Sequence, residues 1–159
     1  MKFLISLFAA FTILLQVSTE ELRSFYPKAS ESHQNAKTFV EMAERSNASD
    51  VAGKAYKAAA RVILSKFEKG AGRKEMISGG IKSLESLIAA NPRNTELRVI
   101  RMSLQENLPG IVGYKKNLVD DKKFILEHYK SENKRTQKLI RDFSEYSKTM
   151  TPTEKATLK

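Results

Sequence analysis

The segment 91–125 constrains the fold most, because it contains two helix boundaries in quick succession. Pro92 fixes its own backbone and disfavours helical geometry at the residue before it, so the preceding helix should end near residue 90. Asn94 is a good N-cap for a new helix over residues 95–106. Apolar residues recur in it every three or four positions: Leu97, Ile100, Leu104 and Leu108. A Pro-Gly pair at 109–110 then separates it from a further helix, which predicts an antiparallel helical pair.

A polar stripe of the same period accompanies the apolar one, and it comprises Asn94, Arg98, Arg101 and Gln105. In the further helix, Asp121 interrupts an apolar face made of Tyr114, Leu118 and Ile125. Antiparallel packing would place Asp121 within reach of Arg98 or Arg101, which predicts a structural ion pair, since a buried carboxylate needs a partner. The alternative is a binding site for an anionic ligand or a partner's carboxylate, formed by Arg98, Arg101, Gln105, Tyr114 and Asp121.

The amino terminus has the pattern of a secretory signal peptide. Lys2 supplies a positive charge, and residues 3–15 form an uncharged apolar run that is shorter than the roughly 20 residues of a membrane span. Small or modest residues at 17–19 resemble a cleavage site, so we predict a signal peptide over residues 1–19. The protein is then exported to the bacterial periplasm or secreted. An uncleaved anchor is the alternative, and it would be the only contact with a membrane.

The chain contains no cysteine, which excludes disulfides, thiol catalysis and thiolate metal ligands. Its net charge is +10, and removal of Lys2 with the signal leaves +9. Positive charge attracts nucleic acid, anionic lipid and acidic polymers alike, so it does not choose among them. The lysines alternate with acids as on solvated helix faces, and no aromatic and basic nucleic-acid motif occurs. We therefore predict no nucleic-acid partner.

A polar linker over residues 20–32 is predicted to precede a single helical domain over residues 33–150. Four helices are expected at 33–44, 50–69, 74–90 and 95–106. A fifth helix should continue to about residue 130, and a sixth should span 136–148. A short helix or tail at 151–159 should follow, opened by a capping box. Gly79 and Gly80 lie inside one of these helices, which indicates close helix contact or a kink.

The expected loop 70–74 is rich in glycine and carries two cations. Gly70 should end the preceding helix in a left-handed conformation. Backbone amides near Gly72, together with Arg73 and Lys74, could hold a phosphate or sulfate, whereas the other interpretation is a plain turn between helices. The Gly-Lys-Ser/Thr sequence of a nucleotide-binding loop is absent.

The residue types of an active site are sparse. His33 and His128 each lack a second ligand or a catalytic partner at helical spacing. Asp120 and Asp121 are neighbours on a helix and point about 100° apart, so they cannot share a proton as a catalytic dyad. We predict that the protein is not an enzyme and needs no cofactor or metal.

The order helix, glycine turn, helix, followed by Ala-Ala-Asn-Pro-Arg-Asn-Thr-Glu-Leu, resembles tetratricopeptide-type repeats over about residues 51–108. Small residues at Gly53 and Ala59 belong to the same resemblance. The segment 91–123 also resembles a recurrent part of small exported bacterial proteins without assigned activity. The repeat family implies a stack of helical hairpins that presents a groove to a protein or peptide.

We therefore predict an all-α, tetratricopeptide-like right-handed stack or bundle of about six helices. It would act as an exported, non-enzymatic interaction or scaffold module for a protein or peptide. The alternatives are a protein that binds a small anionic ligand with the same arginines, and a hydrolase of unrecognised type. Full burial of Arg98 and Arg101 against Asp121 would instead make that cluster structural.

Overall fold

The computed structural model describes residues 16–47 and 49–159, and this part of the chain is all-helical. Its eight α-helices are α1 (Thr19–Phe25), α2 (His33–Glu44), α3 (Val51–Leu64), α4 (Gly70–Ala90), α5 (Thr95–Asn107), α6 (Leu118–His128), α7 (Lys134–Tyr146) and α8 (Pro152–Ala156). Short 3₁₀ turns occur at Tyr26–Lys28, Ser65–Phe67, Gly110–Val112 and Tyr129–Ser131. The predicted all-α class is confirmed, while the helix count exceeds the expected six because both ends of the domain are helical.

Most of the signal peptide predicted over residues 1–19 lies outside the described residues. Within 16–47 and 49–159, no helix has the length and apolar character needed to cross a bilayer. Export therefore stays a prediction.

The predicted polar linker over residues 20–32 is a packed part of the domain. Ser18 caps α1 and forms a reciprocal capping box with Glu21. Leu22 is fully buried, and Ala29 lies in the same apolar cluster. The linker prediction was wrong because it gave weight to the charged residues of this segment. The apolar residues among them recur at the spacing of a helix: Leu22, Phe25, Tyr26 and Ala29.

Residues 17–19, which were assigned to the signal peptide, also belong to the fold. Val17 is buried and donates its backbone N–H to the carbonyl oxygen of Arg45 at 3.1 Å. The Thr19 hydroxyl donates to the carboxylate of Asp50, the residue that caps α3. The predicted boundary after residue 19 would therefore cut through the folded domain.

Two apolar clusters form the interior, and α5 contributes to both. The first cluster is formed by residues from each of the five helices α1 through α5. Its largest fully buried side chains are Leu22, Phe39, Tyr56, Leu84, Leu97 and Ile100. The second joins α5 to the carboxyl-terminal helices through Val99, Met102, Ile125, Tyr129, Ile140, Met150 and Leu158. The apolar stripe predicted for α5 faces the first cluster. Its opposite face is also buried, so α5 lies between the two clusters.

Several predicted helix ends are present. Asn94 caps α5 by accepting from the Leu97 N–H at 3.2 Å, and Thr151 opens α8 with a capping box. Gly70 has the expected left-handed backbone, with φ of 67°. However, α4 begins at Gly70, so the loop expected over 70–74 is helical.

The carboxyl-terminal tail is docked rather than free. Leu158 is buried in the second cluster, and its carbonyl oxygen accepts from the Tyr129 hydroxyl at 2.7 Å.

Gly80 allows α3 and α4 to approach closely. A methyl group built on Gly80 would lie 2.7 Å from the backbone oxygen of Ala58 and 2.5 Å from Val62 Cγ2. The same group on Gly79 would meet nothing within 4 Å. The sequence allowed close helix contact or a kink as the reason for these glycines. Close helix contact is the reason at Gly80, and Gly79 makes no such contact.

We predict opposite effects of alanine at these adjacent glycines. Gly80→Ala should lower the free energy of unfolding by about 1–3 kcal/mol, because the backbone oxygen of Ala58 cannot move away as a side chain can. Gly79→Ala should raise it by up to about 1 kcal/mol through higher helix propensity. Urea denaturation monitored by circular dichroism measures both. Equal effects of the two variants would contradict the close contact at Gly80.

A second prediction concerns the start of the folded domain. A chain that begins at residue 16 should unfold at a higher urea concentration than one that begins at residue 20. The shorter chain loses the buried Val17 and the Ser18 cap, and we expect a loss of about 2–3 kcal/mol. Ser18→Ala in the longer chain should account for about 1 kcal/mol of it. Equal midpoints for the two chains would show that residues 16–19 add no stability.

Candidate functional site

The polar stripe of α5 meets α6 in a buried ion-pair network centred on Asp121, whose exposure is 0%. Arg101 donates from Nε to Oδ2 of Asp121 at 2.7 Å and from Nη2 to Oδ1 at 2.6 Å. Arg98 donates from Nη1 to Oδ1 at 2.9 Å. Hydrogen bonds between charged groups are stronger than neutral ones, and three of them hold this carboxylate.

A second carboxylate links the network to α4. Arg101 donates from Nη1 to Oε2 of Glu85 at 2.9 Å, and the Tyr114 hydroxyl donates to the other oxygen of Glu85. Burial, and then Glu85, raise the pKa of Tyr114 above its usual range. Burial opposes the charge on Arg101, but the hydrogen bonds and the negative charges of Asp121 and Glu85 together outweigh this effect and raise the pKa of Arg101. Both donors therefore keep their protons at physiological pH.

Arg98 and Gln105 complete the predicted set. Arg98 donates from Nη2 to the Pro92 carbonyl at 2.9 Å, and its guanidinium carbon lies 4.0 Å from the ring centroid of Phe124. Gln105 is fully buried, and its Nε2 lies 3.4 Å from Oδ1 of Asn117. An external anion would have to displace Asp121 from two arginines. Arg98, Arg101 and Tyr114 thus join Asp121 and Glu85 in one network, whereas Gln105 bonds to Asn117 instead. The binding site assigned to these residues stays a prediction.

The predicted anion site at Gly72, Arg73 and Lys74 lies at the amino-terminal end of α4. No side chain caps this helix end. Nothing else that the structure describes points to a bound anion there, so the site rests on the helix terminus alone.

Each histidine stacks on a phenylalanine ring. His128 stacks on Phe124 and has Nδ1 2.9 Å from the Phe124 carbonyl oxygen, while His33 stacks on Phe67. In residues 16–47 and 49–159, no group of histidine and carboxylate side chains is arranged to hold a metal ion.

A polar cleft of about 360 Å³ lies where α3, α5 and α7 begin. Its charged lining residues are Arg23, Arg93, Arg135, Asp50, Glu96 and Glu132. Arg23 donates to both oxygens of Glu96 at 2.7 Å, and the Tyr56 hydroxyl donates to the same carboxylate at 2.9 Å. Three cations and three carboxylates balance one another, so the cleft does not favour an anionic ligand.

A basic groove of about 390 Å³ lies between α3 and α4. Lys54, Lys57 and Arg61 line it on α3, Ser83 and Ser86 line it on α4, and Ala58 and Leu87 complete the lining. Its lining contains three cations and no carboxylate, in contrast to the polar cleft. The groove therefore carries a net positive charge.

Two cations of the basic groove are free to bind a ligand. Lys57 forms an ion pair with Glu44 on α2, but the exposed side chains of Lys54 and Arg61 have no hydrogen-bond or ion-pair partner among the described residues. The Ser86 hydroxyl donates to the Lys82 carbonyl oxygen at 3.0 Å, which leaves its own oxygen available as an acceptor. We take the basic groove as the candidate functional site.

Sequence reasoning missed the basic groove although a signal was present. Lys54, Lys57 and Arg61 are spaced by three and four residues, which places them on one face of α3. Such a stripe usually marks a solvated helix face, and only the packing of α4 beside it makes a groove.

The Asp121 network generates a prediction with a neighbouring control. Asp121→Ala should lower the free energy of unfolding by about 3–5 kcal/mol, because two arginines lose a buried counter-charge. Asp120→Ala removes an exposed carboxylate from the same helical turn and should change it by less than about 0.5 kcal/mol. Urea denaturation measures both variants. A similar small loss in each would mean that the buried pair is not stabilising.

Comparisons with known proteins do not place the chain in a family. No protein-family model, no curated protein and no solved structure matches it. The tetratricopeptide resemblance therefore stays a prediction, and function is argued from the chemistry of the basic groove.

Proposed function

We propose that the protein is an exported, non-enzymatic interaction module that binds an acidic, extended segment of a partner protein in the basic groove. The observation that carries the proposal is the lining of this groove by three cations without a carboxylate. A positively charged concave surface attracts acidic segments, and this complementarity favours correct partners over wrong ones.

The spacing of the free cations suits an extended peptide. Lys54 and Arg61 are seven residues apart on α3, so their backbones are separated by about 10 Å along the helix. An extended chain covers this distance in about three residues. Carboxylates at every third position of a partner segment would therefore match the two cations, with Ser83 and Ser86 opposite them.

Close packing of α3 and α4 supports the finer architecture that we propose. Ala58 and Gly80 bring the two helices close together, as expected for consecutive helices of a tetratricopeptide-like hairpin. Such a hairpin presents both of its helices to a ligand that lies in the groove between them.

Export is part of the same proposal. The uncharged run at residues 3–15, preceded by Lys2, supports a signal sequence. The folded part begins by Val17, so we place the cleavage before this residue. A chain without cysteine forms no disulfides in an oxidising compartment.

The non-enzymatic class is supported by the state of the buried carboxylates. Asp121 is held by two arginines, and Glu96 is held by Arg23 and Tyr56. Their oxygens are engaged within the fold, which suits a structural role better than proton transfer.

Charge reversal in the basic groove tests this function. The probe is a fluorescein-labelled peptide with glutamate at every third position, measured by fluorescence anisotropy. Lys54→Glu with Arg61→Glu should weaken binding at least about tenfold, since two attractive contacts become repulsive. Lys130→Glu with Lys134→Glu makes the same charge change at exposed positions on another part of the chain and should leave affinity nearly unchanged.

Two results would contradict the proposal. Equal loss in both double variants would show attraction by net charge alone. Binding of citrate as tight as that of the peptide would instead favour the alternative of a small anionic ligand. Circular dichroism of each variant verifies that the helices are intact.

A further inference from the structure

Large apolar side chains are exposed in the connection between α5 and α6 and in the first turn of α6. Ile111 is 97% exposed and Val119 is 70% exposed. In the described residues, Tyr146 is the remaining large hydrophobic side chain with comparable exposure. Two of three such side chains thus fall within nine consecutive residues of the chain.

The base of this connection is fixed to the domain. Tyr114 is buried and bonds to Glu85 on α4, and Leu108 packs against the first apolar cluster. The Asn117 side chain lies at 3.4 Å from Gln105. The apolar residues are therefore presented on a supported segment.

Two backbone N–H groups of the tip are satisfied within its own turn. The N–H of Val112 donates to the Pro109 carbonyl at 3.0 Å, and the N–H of Gly113 donates to the Gly110 carbonyl at 2.9 Å. Pro109 has no N–H. This matters because an unsatisfied backbone group is costly in the apolar part of a bilayer.

Cations follow the exposed isoleucine directly. Lys115 and Lys116 are exposed and have no ion-pair partner in the part of the chain that the structure describes. The acid exposed in the same stretch is Asp120, since Asp121 is enclosed by Arg98 and Arg101. The surface of the connection is therefore net positive around apolar side chains.

We propose that residues 109–119 dock the domain on the surface of an anionic lipid bilayer. Ile111 and Val119 enter the headgroup region, and Lys115 and Lys116 contact lipid phosphates. Apolar side chains flanked by lysine are the combination that peripheral proteins use at such surfaces. A lipid surface fits better than a protein partner, because exposure of 97% indicates a protruding side chain without a surrounding recess. This contact is separate from any contact through the signal segment.

A tryptophan reporter tests the proposal, because the chain contains no tryptophan. Ile111→Trp places one at the tip, and Tyr146→Trp places one at an exposed control position on α7. Both variants of the full chain are titrated with vesicles of phosphatidylcholine and phosphatidylglycerol in a roughly 7:3 mixture, so that the vesicle surface is negatively charged. We expect a blue shift of the emission of Trp introduced at 111 and none at 146.

Charge is tested in the same reporter background. Lys115→Glu with Lys116→Glu should reduce the apparent vesicle affinity at least about tenfold, because attraction becomes repulsion. Vesicles of phosphatidylcholine alone should give a much smaller shift. Comparison of the two reporters separates docking by the loop from binding through residues 3–15, since the latter is common to both.

The proposal is overturned by any of three results. These are no shift at position 111, equal shifts at 111 and 146, or an equal shift with purely zwitterionic vesicles. Binding of a soluble acidic peptide that shifts the reporter at 111 while vesicles do not would assign the surface to a protein partner instead. None of these outcomes depends on the basic groove, because its residues are unchanged in all variants.

Discussion

The fold depends on α5, a helix that is buried on two opposite faces and still carries charged side chains. Buried charges must be paired, so each one on α5 requires a partner from another segment. Glu96 is matched by Arg23 of α1, and Arg101 is matched by Asp121 of α6. Glu106 accepts from the Ser147 hydroxyl at 2.7 Å and from the Thr149 N–H at 3.0 Å, beside the carboxyl-terminal helices. Polar contacts therefore define where the elements around α5 must lie, and apolar burial supplies the driving force.

Sequence reasoning recovered features that are determined locally. The caps at Asn94 and Thr151 follow from short-range hydrogen bonding, and the partnership of Asp121 with arginines follows from the cost of burying a carboxylate. It failed where the outcome depends on distant packing. α1 was taken for a linker because its charged residues outnumber the apolar ones. Whether such charged side chains are solvated or buried depends on which helices pack beside them. The arginines of α5 were correctly singled out, but the second carboxylate that pairs with Arg101, Glu85 of α4, could be seen only in three dimensions.

The two proposed contact surfaces have different physical origins. The basic groove arises where two helices pack closely and leave a charged rim, so it suits a linear acidic ligand. The connection between α5 and α6 is convex and apolar at its tip, which suits a soft surface that does not need a complementary shape. A module with both surfaces could hold a partner protein close to a membrane. If that partner is itself bound to the membrane, docking of the module raises the effective concentration of the partner's acidic segment at the groove.

The residues that hold α3 and α4 together at Gly80 are different from the charged residues that would select a ligand in the basic groove. Where α3 and α4 touch, Gly80 lies against the backbone oxygen of Ala58 and the side chain of Val62, and neither Gly80 nor Val62 lines the groove. The residues that carry charge on the rim, such as Lys54 and Arg61, are exposed. Exposed positions tolerate substitution with small changes in stability. The groove could therefore acquire a new preference, including a reversal of its polarity, through rim mutations alone, while position 80 stays restricted to glycine.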